Sequence, residues 1–102
     1  MHADAITYRG SYCYRDRATL DRAVARVRDE LAEDDLEPAE WLRALVRTGT
    51  RLDIDLVIGS GSERRFVAAN VLLILAQGAL TGAVEARQRE RTLDVYSPLD
   101  DE

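Results

Sequence analysis

Residues 51–62 read RLDIDLVIGSGS, a strand pattern that ends in a glycine-serine break. Apolar side chains at even positions alternate with Asp53 and Asp55, and this period of two is typical of a strand with one buried face. The glycines interrupt the strand, and Ser60 with Glu63 forms a capping box, which predicts that a helix starts here. This strand, break and helix are the starting point of the fold prediction.

Two more strands are predicted before this one. Trp41–Thr48 alternates and is joined to Arg51–Ile58 through Gly49-Thr50, a two-residue turn that favours a hairpin. Ala5–Tyr14 alternates as well, and its three tyrosines of one parity support a strand, since tyrosine is enriched in sheets.

Two segments are predicted as helices. In Arg17–Glu33 apolar residues recur every three or four positions, and Asp16 or Thr19 would cap the start. The second helix runs from the glycine-serine break to about Gln77, with Gly78 as its C-cap. Because it is apolar almost all round, we expect it to be the more enclosed of the two.

The segment Gly82–Ser97 is open to two interpretations. A hairpin with its turn near Arg89-Glu90 is one, and the alternative is that the second helix continues through Gly78 and Gly82 to about Arg89. Two glycines inside a helix would cost roughly 1 kcal/mol each relative to alanine, so we favour the hairpin.

The order of elements predicts one α+β domain over residues 1–97, followed by an acidic tail at 98–102. We expect a β-α-β-β-α-β(-β) two-layer sandwich, with a mainly antiparallel sheet of four or five strands and two helices on one face. A ferredoxin-like or related arrangement fits this order.

The composition narrows the possible chemistry. The chain has 102 residues, 14 basic and 19 acidic, and a formal net charge of −5; no basic residue is a lysine, and there is one cysteine (Cys13) and one histidine (His2). These counts argue against Schiff-base, histidine-base, zinc and disulfide chemistry. We therefore predict a non-enzyme with no cofactor and no metal site. An isomerase or lyase using Asp and Glu is a minor alternative.

Composition and charge also bear on location and partners. The first residues lack the pattern of a signal peptide, and the most apolar stretch is too short for a membrane span, which predicts a cytoplasmic protein. The negative charge argues against nucleic acid as a partner and is compatible with a basic partner. The arginine- and alanine-rich usage is typical of GC-rich, bacterial coding.

The leading functional hypothesis is a protein-interaction module, such as a dimeric adaptor, a chaperone-like protein or an inhibitor. If residues 42, 44 and 46 pack inward, an apolar patch with a charged surround is left on the open face of the sheet, as expected of an interface in a homodimer or with another protein. The residues predicted for this patch are Trp41, Arg43, Leu45, Val57 and Tyr96.

The alternative hypothesis is a regulatory domain that binds a small anion. The loop before the second helix would offer backbone N–H groups at the positive end of the helix dipole. The residues predicted for this site are Ser60, Gly61, Ser62, Arg64 and Arg65. An ordinary capped turn explains the same pattern.

Four weaker features have a structural explanation beside the functional one. Asp53, Asp55 and Asp94 would bind a divalent ion if they met, or form surface ion pairs. Gly10 between Tyr8 and Tyr12 would leave a gap for a ligand, or admit a close backbone or helix. Cys13 would be a nucleophile or an inert thiol. Asn70 would hydrogen-bond to a strand or across a dimer interface.

Overall fold

The computed structural model describes residues 5–33, 41–59 and 62–98. In these ranges the chain forms strands and helices in the predicted order. They are β1 (Ile6–Cys13), α1 (Arg17–Glu33), β2 (Leu45–Thr48), β3 (Arg51–Ile58), α2 (Ser62–Gly78), β4 (Thr81–Gln88) and β5 (Arg91–Tyr96). The α+β class is confirmed. Residues 99–102 of the predicted tail lie outside the described ranges, as do Ser60 and Gly61.

The strands form one sheet in the order β2-β3-β1-β4-β5, and every neighbouring pair is antiparallel. Strand β1 is central, with β3 on one side and β4 on the other. The ferredoxin-like arrangement is not confirmed, since the sheet has five strands in the order β2-β3-β1-β4-β5.

The core lies between the sheet and the two helices, which also pack against each other. Even-numbered residues of β1, β3 and β4 point into it together with the inner sides of α1 and α2. Tyr8, Tyr12 and Tyr14 of the central strand are all buried. The tyrosine face therefore packs under the helices and leaves no ligand gap there.

The buried tyrosines also satisfy backbone groups. The Tyr14 hydroxyl donates to the Leu75 carbonyl oxygen at 2.7 Å, and the Tyr12 hydroxyl donates to the Tyr96 carbonyl oxygen at 2.6 Å. At the end of α2 the Ala79 N–H bonds to the Ala76 carbonyl and not to the Leu75 carbonyl. The Tyr14 hydroxyl therefore gives the Leu75 carbonyl the donor that the helix backbone does not supply. Burial raises the pKa of both phenols, which remain neutral donors.

Local side-chain chemistry fixes the ends of the helices. The Asp16 carboxylate accepts from the Thr19 N–H at 2.8 Å and from its hydroxyl at 2.7 Å, so Asp16 is the N-cap of α1. These bonds lower the Asp16 pKa. Arg47 of β2 pairs with Asp21 at 2.9 Å and ties α1 to that edge of the sheet. Neither α1 nor α2 is long and apolar enough to cross a membrane.

Two glycines let β1 and β4 approach each other closely. A Cβ on Gly10 would overlap the Ala83 carbonyl oxygen and come within 2.7 Å of the Val84 Cα. A Cβ on Gly82 would overlap the Ser11 carbonyl oxygen, and its φ of +116° disfavours any other residue. The absence of a side chain at Gly10 therefore leaves room for the backbone of β4.

The C-terminal segment is the predicted hairpin, and the continued helix is wrong. Helix α2 ends at Gly78, and the Leu80 N–H bonds to the Cys13 carbonyl at 2.8 Å, which directs the chain into the sheet. The turn at Arg89-Glu90 joins β4 to β5, with Arg89 in the left-handed region at φ 58°.

We expect Gly82→Ala to lower the free energy of unfolding by more than about 2 kcal/mol, because the new Cβ meets the β1 backbone and the φ is strained. Gly59→Ala is the control: it has open space around it, and we expect a change within about 0.5 kcal/mol. Urea denaturation of both variants measures the difference. Equal midpoints would contradict the close approach.

We expect Tyr14→Phe to cost about 1–3 kcal/mol of stability, because the Leu75 carbonyl loses its buried donor. Tyr8→Phe is the matched control, since the Tyr8 hydroxyl forms no hydrogen bond to another described residue. Thermal and urea denaturation of the two variants make the comparison. A Tyr8→Phe variant as unstable as Tyr14→Phe would show that the bond to Leu75 contributes nothing.

Candidate functional site

The face of the sheet turned away from the helices is not covered by any element in the described ranges. Its side chains are exposed or half-buried, and we call it the open face. The strand registers assign to it Thr7, Arg9, Ser11 and Cys13 of β1, Val46 and Thr48 of β2, Arg51, Asp53, Asp55 and Val57 of β3, Thr81, Ala83, Glu85 and Arg87 of β4, and Thr92 and Val95 of β5.

Ion pairs cross the open face. Arg9 lies directly opposite Asp55 on one side and Glu85 on the other. The Arg9 Nε lies 3.2 Å from the Asp55 Oδ1, and the Arg51 Nε lies 2.9 Å from the Asp53 Oδ1. Each of these exposed pairs contributes little to stability. They do place basic and acidic groups side by side on the surface.

Arginines gather at one end of the open face. A depression of about 450 Å³ is lined by Thr7, Arg9, Glu85, Arg87 and Arg89. A second, of about 420 Å³, is lined by Arg43, Ala44, Asp55, Leu56 and Val57. Four arginines thus surround two carboxylates, and we call Arg9, Arg43, Arg87 and Arg89 the arginine end.

The charges of the open face are mixed. Its basic residues are Arg9, Arg51 and Arg87, and its acidic residues are Asp53, Asp55 and Glu85. The formal net charge of the whole chain is −5, so the acidic excess of the sequence is not found among these strand residues.

Trp41 and Leu45 were predicted on the open face, and this is wrong. Trp41 is only 4% exposed and belongs to the core, and Leu45 lies opposite Ile54 on the face covered by helices. The chain is helical at 41–42 and turns at 43–44, so β2 begins at Leu45 and its alternation does not extend back to Trp41.

Tyr96 was also predicted on the open face, and it lies on the other one. An irregularity in the β4–β5 register between Ala86 and Arg87 shifts the pairing, so Tyr96 is opposite Val84. A bulge of this kind inverts the side on which later residues point. Tyr96 is half-buried, and burial raises its pKa.

Two of the five predicted interface residues lie where they were expected. Val57 is on the open face and 59% exposed, and Arg43 is exposed beside it. Val46 and Val95 were missed. The sequence does indicate the position of Val46 on the open face, because the two-residue turn at Gly49-Thr50 places Val46 opposite Asp53.

The predicted anion site is not tested by the structure, because Ser60 and Gly61 lie outside the described residues. Ser62 begins α2. Arg64 lines a depression with Trp41 and Ile58 at the β3 side. Arg65 lies toward the other side, where its charge acts to lower the pKa of Tyr96 against the stronger effect of burial.

The three aspartates of the possible cation site are separated. Asp53 and Asp55 are on the open face, each beside an arginine. Asp94 lies on β5 opposite Ala86, a residue that points toward the helices, and accepts a long hydrogen bond of 3.5 Å from the Tyr96 hydroxyl. In the described ranges, no group of three metal-ligating side chains forms.

Comparison with known proteins gives no match: no family model, no curated protein and no solved structure is significantly similar to this chain. The functional argument therefore depends on the residues of the open face and of the helices.

We expect Trp41→Ala to destabilise the protein by about 3–5 kcal/mol, as for a large aromatic side chain removed from a core. Val57→Ala on the open face should change stability by less than about 1 kcal/mol. Urea denaturation measures both, and iodide quenching of the one tryptophan tests its burial directly. A Trp41→Ala variant as stable as Val57→Ala would contradict the placement of Trp41.

Proposed function

We propose that this protein is a non-enzymatic interaction module that binds a protein partner through its open face. The observation that carries the proposal is the face itself, a five-stranded sheet surface with no covering layer among the described residues. Ion-paired arginines and exposed valines lie side by side on it, and interfaces combine apolar anchors with a polar surround.

The partner best suited to this face presents carboxylates next to apolar side chains. Arginine binds carboxylates through two parallel hydrogen bonds, and the arginine end offers several guanidinium groups around Val57. One of these guanidinium groups, that of Arg9, already lies beside the Asp55 carboxylate in the protomer. The negative charge of the sequence is compatible with a basic partner, whereas the arginine end favours an acidic one.

Several parts of this proposal rest on the sequence alone. A chain with one histidine, one cysteine and no lysine has few groups for catalysis, which supports a non-enzymatic role. A location in the cytoplasm stays a prediction. Anion binding at residues 60–62 stays a prediction, and the opposite placement of Arg64 and Arg65 gives it no support.

A cross-linking experiment tests the proposal in the organism that makes the protein. A photo-reactive amino acid replaces Val57 on the open face or, as the matched control, Ala25 on the exposed side of α1. We expect a cross-linked partner from position 57 and not from position 25, identified by mass spectrometry. Cross-links from position 25 alone, cross-links to nucleic acid, or none at all would contradict the proposal.

The identified partner is then purified and titrated with the whole chain by calorimetry. We expect Val57→Arg and Arg87→Glu each to weaken binding about tenfold or more, as for a residue at an interface centre. Ala25→Arg should leave the affinity unchanged, and circular dichroism checks that all variants fold. Affinity that is equal in wild type and both open-face variants would refute binding at this face.

A further inference from the structure

Helix α2 carries apolar side chains on the side that faces away from the sheet. Phe66 is 68% exposed and Leu73 50% exposed, and Leu80, just beyond the helix, is 63% exposed. Asn70 and Gln77 fall between them, so the spacing alternates between four and three residues and follows one side of the helix. We call these five residues the α2 stripe.

The α2 stripe has no cover among the described residues. The other side of the helix is buried in the core, through Val67, Ala68, Val71, Leu72 and Leu75. A helix that is apolar all round is normally buried all round, and an exposed apolar patch marks an association surface. The two described layers bury only one side of α2 and leave the other side available for association.

We propose that the α2 stripe packs against the α2 stripe of a second copy of this chain, with the helices antiparallel about a two-fold axis near Asn70. Phe66 lies four residues before Asn70, and Leu73 lies three residues after it. The axis therefore places Phe66 of each copy against Leu73 of the other. The contact uses the same surface on both copies, so it closes as a dimer.

Asn70 supports the proposal that a second copy of this chain covers the α2 stripe. Its side chain is half-buried in the middle of the α2 stripe and forms no hydrogen bond to another described residue. A primary amide carries both a donor and an acceptor, so two such amides meeting at a two-fold axis bond to each other. One polar residue in an apolar helix seam fixes the register of the pair.

Charge complementarity supports the antiparallel direction. Arg22 and Arg26 of α1 line a groove of about 340 Å³ with Ile74 and Gln77, near the C-terminal end of α2. Glu63 lies at the N-terminal end of α2. Antiparallel helices bring Glu63 of one copy to the arginine groove of the other, whereas parallel helices bring the two glutamates together and repel.

The groups that would meet have no competing ion pair within the described part of the protomer. Neither Glu63 nor Arg22 nor Arg26 forms an ion pair with another described residue. The α2 stripe lies in the helical layer, on the opposite side of the molecule from the open face. The proposal therefore stands independently of partner binding by the sheet.

Sedimentation velocity of the whole chain, from low to high micromolar concentration, tests the proposal. We expect the mass to rise to twice that of the chain. Leu73→Arg should weaken the dimer about tenfold or more, because a charge replaces an apolar anchor. Val57→Arg on the open face is the matched control and should leave the dimer intact. Circular dichroism checks that each variant is folded.

A charge-exchange experiment tests the direction of the helices. Glu63→Arg and Arg26→Glu should each weaken the homodimer, because like charges then meet at both ends. A mixture of the two variants should form a mixed dimer, since each end then pairs an arginine with a glutamate. Recovery of the dimer in the mixture is specific to antiparallel self-association, and a simple loss of folding does not produce it.

Three outcomes would overturn the proposal. One is a wild-type chain that stays monomeric at every concentration. Another is a dimer that Leu73→Arg leaves intact and Val57→Arg dissociates, which would place the contact on the sheet. The third is a mixture of Glu63→Arg and Arg26→Glu that associates no better than either variant alone.

Discussion

The close approach of β1 and β4 is the constraint on which this fold depends. At Gly10 and at Gly82 the backbone of each strand occupies the space that a side chain on the other would need. This contact fixes β4 beside β1 and makes β1 the central strand of the sheet. The tyrosines of β1 then lie under both helices, and their hydroxyls reach Leu75 at the end of α2 and Tyr96 in β5.

Much of the local structure could be predicted from the sequence, because its signals are local. The bounds of α1 follow from helical spacing and the cap at Asp16, and both hairpins follow from two-residue turns. The order of the strands could not be predicted, since pairing of β1 with β3 and β4 joins distant segments. Three predicted interface residues were misplaced for narrower reasons: a helical segment and a turn at 41–44 displace Trp41 and Leu45, and a bulge precedes Tyr96.

Properties of the whole chain do not specify any one surface. The net charge of −5 sums residues of both signs, and the open face carries arginines and carboxylates together. The apolar character of α2 predicted the more enclosed of the two helices, and more of its residues are buried than in α1. The side of α2 away from the sheet nevertheless leaves Phe66 and Leu73 exposed. The surface to which a sequence property belongs therefore depends on the fold.

The exposed thiol of Cys13 gives the open face one site for chemical labelling. It is the only cysteine in the chain and lies on the central strand, with its side chain on the face away from the helices. A maleimide dye or nitroxide spin label would therefore attach to one known side of the molecule without mutagenesis. Because the chain has no lysine, amine-reactive reagents have no side-chain target, so a second label of different chemistry can be added at an introduced lysine. The natural sequence is thus already suited to site-specific spectroscopy of its sheet surface.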